Sequence, residues 1–216
     1  RAETLRAEGK RVLILTTTKM MVPQEQEIFT AYEQTGQESV ISATASVWQE
    51  RRAAEKQLKE RVQSVLDTYG CCVAGSLIPG TEKFGMLPEK LMEDLLYLAD
   101  EILIEADGSA HMPVKAPAEH EPVLFPYMDE VVIVMGAHAI GKPLMEVCHR
   151  VDYAKELLKC DADKIVTAAD IRALAEQGYA IPIQKQFPWM KISKVTGKDI
   201  KLCLTAEKKD KVRDKQ

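Results

Sequence analysis

The sequence predicts an α/β protein with a mainly parallel sheet and helices on both of its faces. Short, continuous apolar runs at residues 12–15, 102–104 and 131–135 are typical of strands that are buried on both sides. Segments with helical periodicity separate these runs, which is the alternation that parallel sheets require. Neither a repeat nor a low-complexity linker interrupts the sequence, so we predict a single α/β domain over residues 1–204 and a charged tail over 205–216.

Local patterns define the individual elements. The predicted helices are rich in helix formers or carry an apolar stripe, and they cover residues 1–8, 47–68, 88–98, 151–159 and 168–177. The predicted strands are apolar and end at glycine, proline or polar residues, and they cover residues 12–15, 71–78, 102–104 and 131–135. We interpret residues 21–44 as a loop with at most one helical turn. The pattern is weak beyond Gly178, where we expect strands near Ile181 and Ile200.

The composition excludes several classes of protein. The chain has 29 basic and 33 acidic residues, a net charge of −4, and no basic run that would form a nucleic-acid surface. No apolar run approaches the roughly 20 residues of a membrane-spanning helix. The chain has five cysteines, an odd number, and none of them has C-x-x-C spacing. This pattern is typical of free thiols in a reducing compartment. We therefore expect a cytoplasmic protein without nucleic-acid or membrane partners.

An acid-tipped apolar strand is the first candidate site. Ile102, Leu103 and Ile104 lead into Glu105, which is the pattern of a Walker-B strand whose acid holds Mg²⁺ beside nucleotide phosphates. Asp107 lies two residues further on, so in extended backbone it points to the same side as Glu105. We predict that both acids bind the metal and act in catalysis. The alternative is an ordinary strand-end turn whose acids face water.

Hydroxyl groups end the earlier strand of residues 12–15. Thr16, Thr17 and Thr18 follow its apolar run and precede Lys19. Hydroxyls at a strand end are suited to contact a metal, a phosphate or an attacking water, so Thr17 and Thr18 are candidate catalytic residues. The alternative is that the threonines simply favour a strand.

A proline-braced loop covers residues 115–122. Lys115 is suited to pair with phosphate, and the prolines restrain the loop, so that it presents Lys115 and His120 at a low entropic cost. Lys142 follows a glycine turn and is a further cation for an anionic ligand. The predicted cofactor-binding residues are Thr16, Lys19, Gly108, Lys115, His120 and Lys142. The alternative is a proline-braced surface crossover with solvated side chains.

The carboxyl ends of parallel strands share one edge of a sheet, and ligands collect there. We therefore expect a single cleft that is lined by residues 16–19, Glu105, Asp107 and the loop 136–142. The loop 115–120 should form its rim. Cys148 is the candidate for a reactive thiol, because the neighbouring imidazole favours the thiolate. The alternative for this cysteine is an inert, buried thiol.

Four strings occur in an order that resembles the YqeC family. They are RAEGKRVLILTTTKM at residues 6–20, IEADG at 104–108, KAPAEHEPV at 115–123 and GKPL at 141–144. The resemblance extends from Arg1 to about His149 and is weak after residue 151. It implies a fold similar to P-loop NTPases, with Mg²⁺ and a nucleoside triphosphate, ATP or GTP, as cofactors. The glycine-rich phosphate loop of that family is expected immediately before Arg1, where the first helix is already in progress.

The resemblance also implies a role and partners. YqeC-type proteins are associated with the maturation of selenium-dependent molybdenum hydroxylases, so the expected partners are a nucleotide and a molybdenum hydroxylase or its cofactor-assembly proteins. No Asn-Lys-x-Asp string occurs near residues 178–195, so the sequence does not indicate guanine specificity. The alternatives are a non-catalytic scaffold that docks the hydroxylase or a selenium or molybdopterin carrier, and direct selenium handling by Cys148.

Overall fold

The computed structural model describes residues 1–32, 45–197 and 204–206. The chain divides into two compact units, which consist mainly of Arg1–Leu103 and of Ile104–Thr205. The expected strand near Ile200 and the charged tail beyond Ala206 lie outside the described residues.

Helices and strands alternate along much of the chain, as the sequence predicts. The α-helices are α1 Ala2–Ala7, α2 Ala45–Tyr69, α3 Glu89–Leu95, α4 Leu144–Val147, α5 Val151–Leu158, α6 Ala168–Ala173 and α7 Ile181–Gln186. The strands are β1 Val12–Thr16, β2 Lys19–Met21, β3 Phe29–Tyr32, β4 Cys71–Leu77, β5 Lys83–Gly85, β6 Glu101–Glu105, β7 Val114–Lys115, β8 Glu130–Gly136, β9 Cys148–His149, β10 Lys191–Gly197 and β11 Leu204–Ala206. A π-helical turn, Leu174–Ala180, joins α6 to α7.

The first unit contains a mixed sheet. β1 and β3 both pair with β4 in parallel, and the start of β6 lies beside β1, where the Asp100 and Glu101 amides donate to the Arg11 carbonyl. β5 pairs antiparallel with β4 and β2. The connection from β4 to β5 is short and turns at Gly80, whose φ is +73°, and such short connections produce antiparallel pairs. The predicted α/β class is confirmed, but the sheet is mixed where the sequence predicts a mainly parallel one.

Helix α2 packs on the strands of this first unit. Its buried residues Leu58, Val62 and Leu66 are spaced four apart, so they form the apolar stripe that contacts β3 and β4. Gly75 in β4 faces the buried ring of Phe84 so closely that an added Cβ would overlap the ring and lie 2.8 Å from the Gly85 carbonyl oxygen. The glycine therefore makes room for the largest side chain of this part of the core.

Short strands replace part of the loop expected over residues 21–44. β3 buries Thr30 and Tyr32 and leaves Phe29 and Ala31 only half-buried, so its period is two. This strand is four residues long and partly polar, which is why the apolar-run criterion misses it. Residues 33–44 of the expected loop lie outside the described residues.

The second unit is built around β8 and β10, which pair in parallel over seven residues from Glu130↔Lys191 to Gly136↔Gly197. A two-residue parallel pair, β7 with β9, holds the start of the proline-rich loop. The expected strand near Ile181 is wrong, because Ile181 begins α7 with a proline in the first helical turn. Within the described residues, every helix is too short or too polar to cross a lipid bilayer.

Candidate functional site

Glu105 is the last residue of β6 and lies at the carboxyl end of a strand whose interior is buried. Ile102, Leu103 and Ile104 are almost completely buried, whereas Glu105 is half-buried and follows them directly. Gly108 lies next to the Glu105 carboxylate, since a Cβ on the glycine would be 3.9 Å from Oε1. The strand therefore carries its acid at its carboxyl end, as the sequence predicts.

Asp107 and Lys115 form a buried ion pair. Their side chains are 2% and 4% exposed, and Lys115 Nζ donates to Asp107 Oδ1. Lys115 Nζ also donates to the Gly108 carbonyl oxygen at 2.9 Å and lies 2.9 Å from Glu121 Oε2. The ammonium group is thus surrounded by three acceptors of its own chain. Burial raises the pKa of Asp107, and the hydrogen bonds from Lys115 and Tyr179 oppose that rise.

Tyr179 completes the buried cluster from the π-helical turn. Its hydroxyl donates to Asp107 Oδ2 at 2.6 Å, and burial together with the carboxylate raises the pKa of Tyr179, so the phenol stays protonated. The preceding Gly178 packs against Pro117, where an added Cβ would lie 3.0 Å from Cδ. This close approach brings the turn within reach of Asp107. Sequence reasoning missed Tyr179, and no local pattern marks it.

Glu121 links this cluster to Arg150. Glu121 accepts from the Ala118 amide at 3.0 Å and from Arg150 Nη2 at 2.9 Å, in addition to its contact with Lys115. Burial alone would raise the pKa of Glu121, but the hydrogen bonds from Ala118, Lys115 and Arg150 outweigh it and lower the pKa to about 2. Two carboxylates and two cations therefore balance in charge inside the second unit. We call Asp107, Lys115, Glu121, Arg150 and Tyr179 the buried network.

The thiol of Cys148 lies close to this network but is not activated. Its sulfur is buried and donates weakly to the His149 carbonyl oxygen at 3.4 Å. Burial raises the pKa of Cys148 to about 11, which disfavours the thiolate. Burial, followed by the charges of Lys115 and Arg150, lowers the pKa of His149. The neutral imidazole gives little support to a thiolate, so the geometry favours the inert reading of this cysteine.

The remaining predicted residues lie elsewhere. Thr16 and Thr17 are buried at the end of β1, and the Thr18 amide donates to Thr16 Oγ1 at 2.9 Å. Lys19 is exposed at the start of β2. All four belong to the first unit, whereas Glu105 belongs to the second, so the single shared cleft stays a prediction.

His120 and Lys142 are exposed in the second unit and are not part of the buried network. The structure thus brings together Asp107, Gly108 and Lys115 from the predicted set. No group of three or more His, Cys, Asp or Glu side chains converges as a metal site within the described residues.

Comparison with known protein families gives a match over more than half of the chain. The family model described as YqeC protein matches residues 2–152. The chain belongs to the YqeC family. The matched part of this YqeC-family chain contains Glu105, the Asp107–Lys115 pair and Arg150, whereas Tyr179 lies beyond it.

A curated relative supports the same assignment. The uncharacterized protein YqeC of Escherichia coli K12 is 31% identical over 177 residues, which cover 80% of this chain. The aligned part spans 60% of that YqeC protein, so the chain corresponds to less than two thirds of its relative. No solved structure matches the chain.

Proposed function

We propose that this YqeC-family chain acts in the cytoplasm as an accessory factor for the maturation of selenium-dependent molybdenum hydroxylases. We further propose that it binds a nucleoside triphosphate with Mg²⁺, as P-loop NTPases do. The observation that carries the proposal is Glu105, a half-buried carboxylate at the end of a strand whose three preceding residues are almost completely buried. This is the position at which nucleotide-binding sheets hold their metal.

The two candidate acids differ in their fit to Mg²⁺. Mg²⁺ in nucleotide sites is bound by one or two carboxylates together with phosphate oxygens and water. Asp107 does not fit this role, because its two oxygens accept from Lys115 and Tyr179 inside the unit. Glu105 fits better, since its carboxylate is half-buried at the carboxyl end of the strand and lies beside Gly108. We therefore assign the metal to Glu105 and a supporting role to Asp107.

Calorimetric titration with MgATP and MgGTP tests this proposal. The titration uses this chain and a version extended at its amino terminus by the residues expected to hold the phosphate loop. We expect the extended protein to bind one of the nucleotides, and Glu105→Gln to weaken Mg²⁺-dependent binding about tenfold, which corresponds to one lost charge-assisted contact. The matched control is Glu119→Gln, which removes an exposed carboxylate from the same unit. An extended protein that binds neither nucleotide with Mg²⁺ present contradicts the proposal.

A second candidate function is a non-catalytic scaffold that docks the hydroxylase or a selenium or molybdopterin carrier. The observation that favours it is the buried network, which engages Lys115 and Glu121 at both ends of the proline-braced loop. Between them, Glu119 and His120 are exposed. Rigid loops with exposed tips bind partners at a low ordering cost, so these two side chains are the candidates for partner contact.

Hydroxylase activity in cells that lack the native protein distinguishes the two functions. Cells are supplied with the wild type, with Glu105→Gln or with a Glu119→Ala, His120→Ala double variant. A scaffold retains maturation with Glu105→Gln and loses it with the loop-tip variant. A nucleotide-dependent factor shows the opposite pattern. All three side chains are at least partly exposed, so each variant is expected to fold.

A further inference from the structure

A small cavity lies in the second unit between β8, β10 and the segment formed by α6 and the π-helical turn. Its volume is about 130 Å³. Ile133, Met135, Ile171 and Ala175 line it, and all four are buried, so its floor is apolar. An engineered apolar cavity of about 150 Å³ holds one benzene molecule. The space is therefore suited to a single aromatic ring or a short branched chain.

The cavity extends toward the carboxyl ends of two parallel strands. Met135 and Thr196 are partners in the parallel pairing of β8 and β10, and each is the next-to-last residue of its strand. The carboxyl ends of parallel strands are the usual ligand positions of such sheets. Ala175 and Glu176 come from the π-helical turn, a rare conformation that is frequently found at functional sites. Two independent features of the backbone thus point to the same place.

Among the residues that the structure describes, the mouth of the cavity carries an excess positive charge. Lys194 and Glu176 line it and form an ion pair with each other. Arg172 also lines it, is exposed, and makes no ion pair with any other described residue. A guanidinium group binds carboxylates through two parallel hydrogen bonds. The local charge therefore favours a monoanion, and the side chain that would bind it is Arg172.

We propose that this cavity binds a small monocarboxylate. Its apolar part, a ring or branched chain of about six carbons, fills the space above Met135 and Ala175. Its carboxylate pairs with Arg172 at the mouth. The site is separate from Glu105 and from the buried network, so it goes beyond the proposed nucleotide function and does not depend on it.

Benzoate is the probe, and amide chemical shifts of the whole chain are the measurement. We expect saturable binding with a dissociation constant on the order of 1 mM, which is reasonable for so small a ligand. The shifts should centre on Met135, Ala175 and Thr196. Benzamide has the same shape without the charge, and we expect it to bind about tenfold more weakly.

Two variants separate the charge from the cavity. Arg172→Gln should weaken benzoate about tenfold and leave benzamide unchanged. The matched control is Lys185→Gln, which removes an exposed positive charge from α7 and should change neither affinity. Ala175→Val narrows the cavity and should weaken both ligands; if this variant does not fold, the arginine variant still decides the question.

Three results would overturn the proposal. They are the absence of saturable benzoate binding up to about 20 mM, well above the expected dissociation constant, equal affinity for benzoate and benzamide, and equal effects of Arg172→Gln and Lys185→Gln. No nucleotide is used, so these results are independent of whether MgATP or MgGTP binds.

Discussion

Tyr179 donates a hydrogen bond of 2.6 Å to Asp107 Oδ2 across 72 residues of sequence. The bond joins the π-helical turn to the loop that follows β6, and both side chains are buried. Asp107 lies within the residues matched by the family, whereas Tyr179 lies beyond them. The π-helical turn, which lies outside the family match, therefore supplies a hydrogen-bond donor to Asp107 of the IEADG string.

Removal of the Tyr179 hydroxyl should destabilise the protein. Tyr179→Phe retains the ring but leaves a buried carboxylate oxygen without this donor, so we expect the free energy of unfolding to fall by about 1.5–3 kcal/mol. Urea unfolding measures the change. Tyr153→Phe is the control, because Tyr153 is 41% exposed in the same unit, and it should cost less than about 0.5 kcal/mol. Equal effects of the two variants would show that the buried bond contributes nothing specific.

Lys115 should be more important for stability than an exposed lysine. Lys115→Met leaves Asp107 and Glu121 buried without their shared cation, and breaking a buried ion pair from one side costs about 3–5 kcal/mol. Lys142→Met is the exposed control. Addition of Asp107→Asn to the Lys115 variant should recover part of the loss, because one unpaired charge is removed. A Lys115→Met protein as stable as the wild type would contradict the ion-pair assignment.

The Glu121 carboxylate should make the free energy of unfolding decrease as the pH falls. Its folded-state pKa of about 2 lies below the ordinary value of 4.5, so its contribution is complete above about pH 4.5 and is lost as the pH falls toward 2. The contribution is on the order of 3 kcal/mol, since each unit of pKa corresponds to about 1.4 kcal/mol. The measurement is the difference in unfolding free energy between wild type and Glu121→Gln from pH 5 to pH 2.5. This difference should shrink with acid.

The exposed Glu119→Gln variant provides the matched comparison for that series. It should differ from the wild type by less than about 0.5 kcal/mol at every pH. A difference for Glu121→Gln that stays constant from pH 5 to pH 2.5 would mean that hydrogen bonding does not stabilise the Glu121 carboxylate.

Cys148 should react slowly with alkylating reagents. Its raised pKa of about 11 leaves very little thiolate at neutral pH, and its sulfur is buried. Peptide mapping after iodoacetamide treatment at pH 7.5 should show alkylation at least about tenfold slower than at Cys160, which is only partly buried. If Cys148 is alkylated first, direct selenium handling by this thiol becomes the better hypothesis.

Much of the secondary structure was predictable because it follows from local patterns. Continuous apolar runs mark β1, β6 and β8, since strands buried on both faces need no polar side. The four-residue spacing of Leu58, Val62 and Leu66 predicts α2, because residues spaced in this way lie on one face of a helix. The position of Glu105 at the end of β6 also follows from the sequence, because the apolar run stops there.

Other features depended on tertiary contacts. In its loop Lys115 is predicted to bind phosphate, yet its side chain is buried and its ammonium group pairs with Asp107 and Glu121, which are near it in the sequence but are turned toward it only by the fold. Tyr179 has no local signal at all, because its role depends on an acceptor 72 residues away.

The sequence by itself determined the α/β class, the main strands and helices and the motifs that place the chain in the YqeC family. Those properties depend on side-chain periodicity and on short strings, which are local. Only the tertiary structure decided which charged groups are exposed and which neutralise one another, and it decided that Ile181 begins a helix. Burial and ion pairing depend on what packs against a residue, and that information is spread over the whole chain.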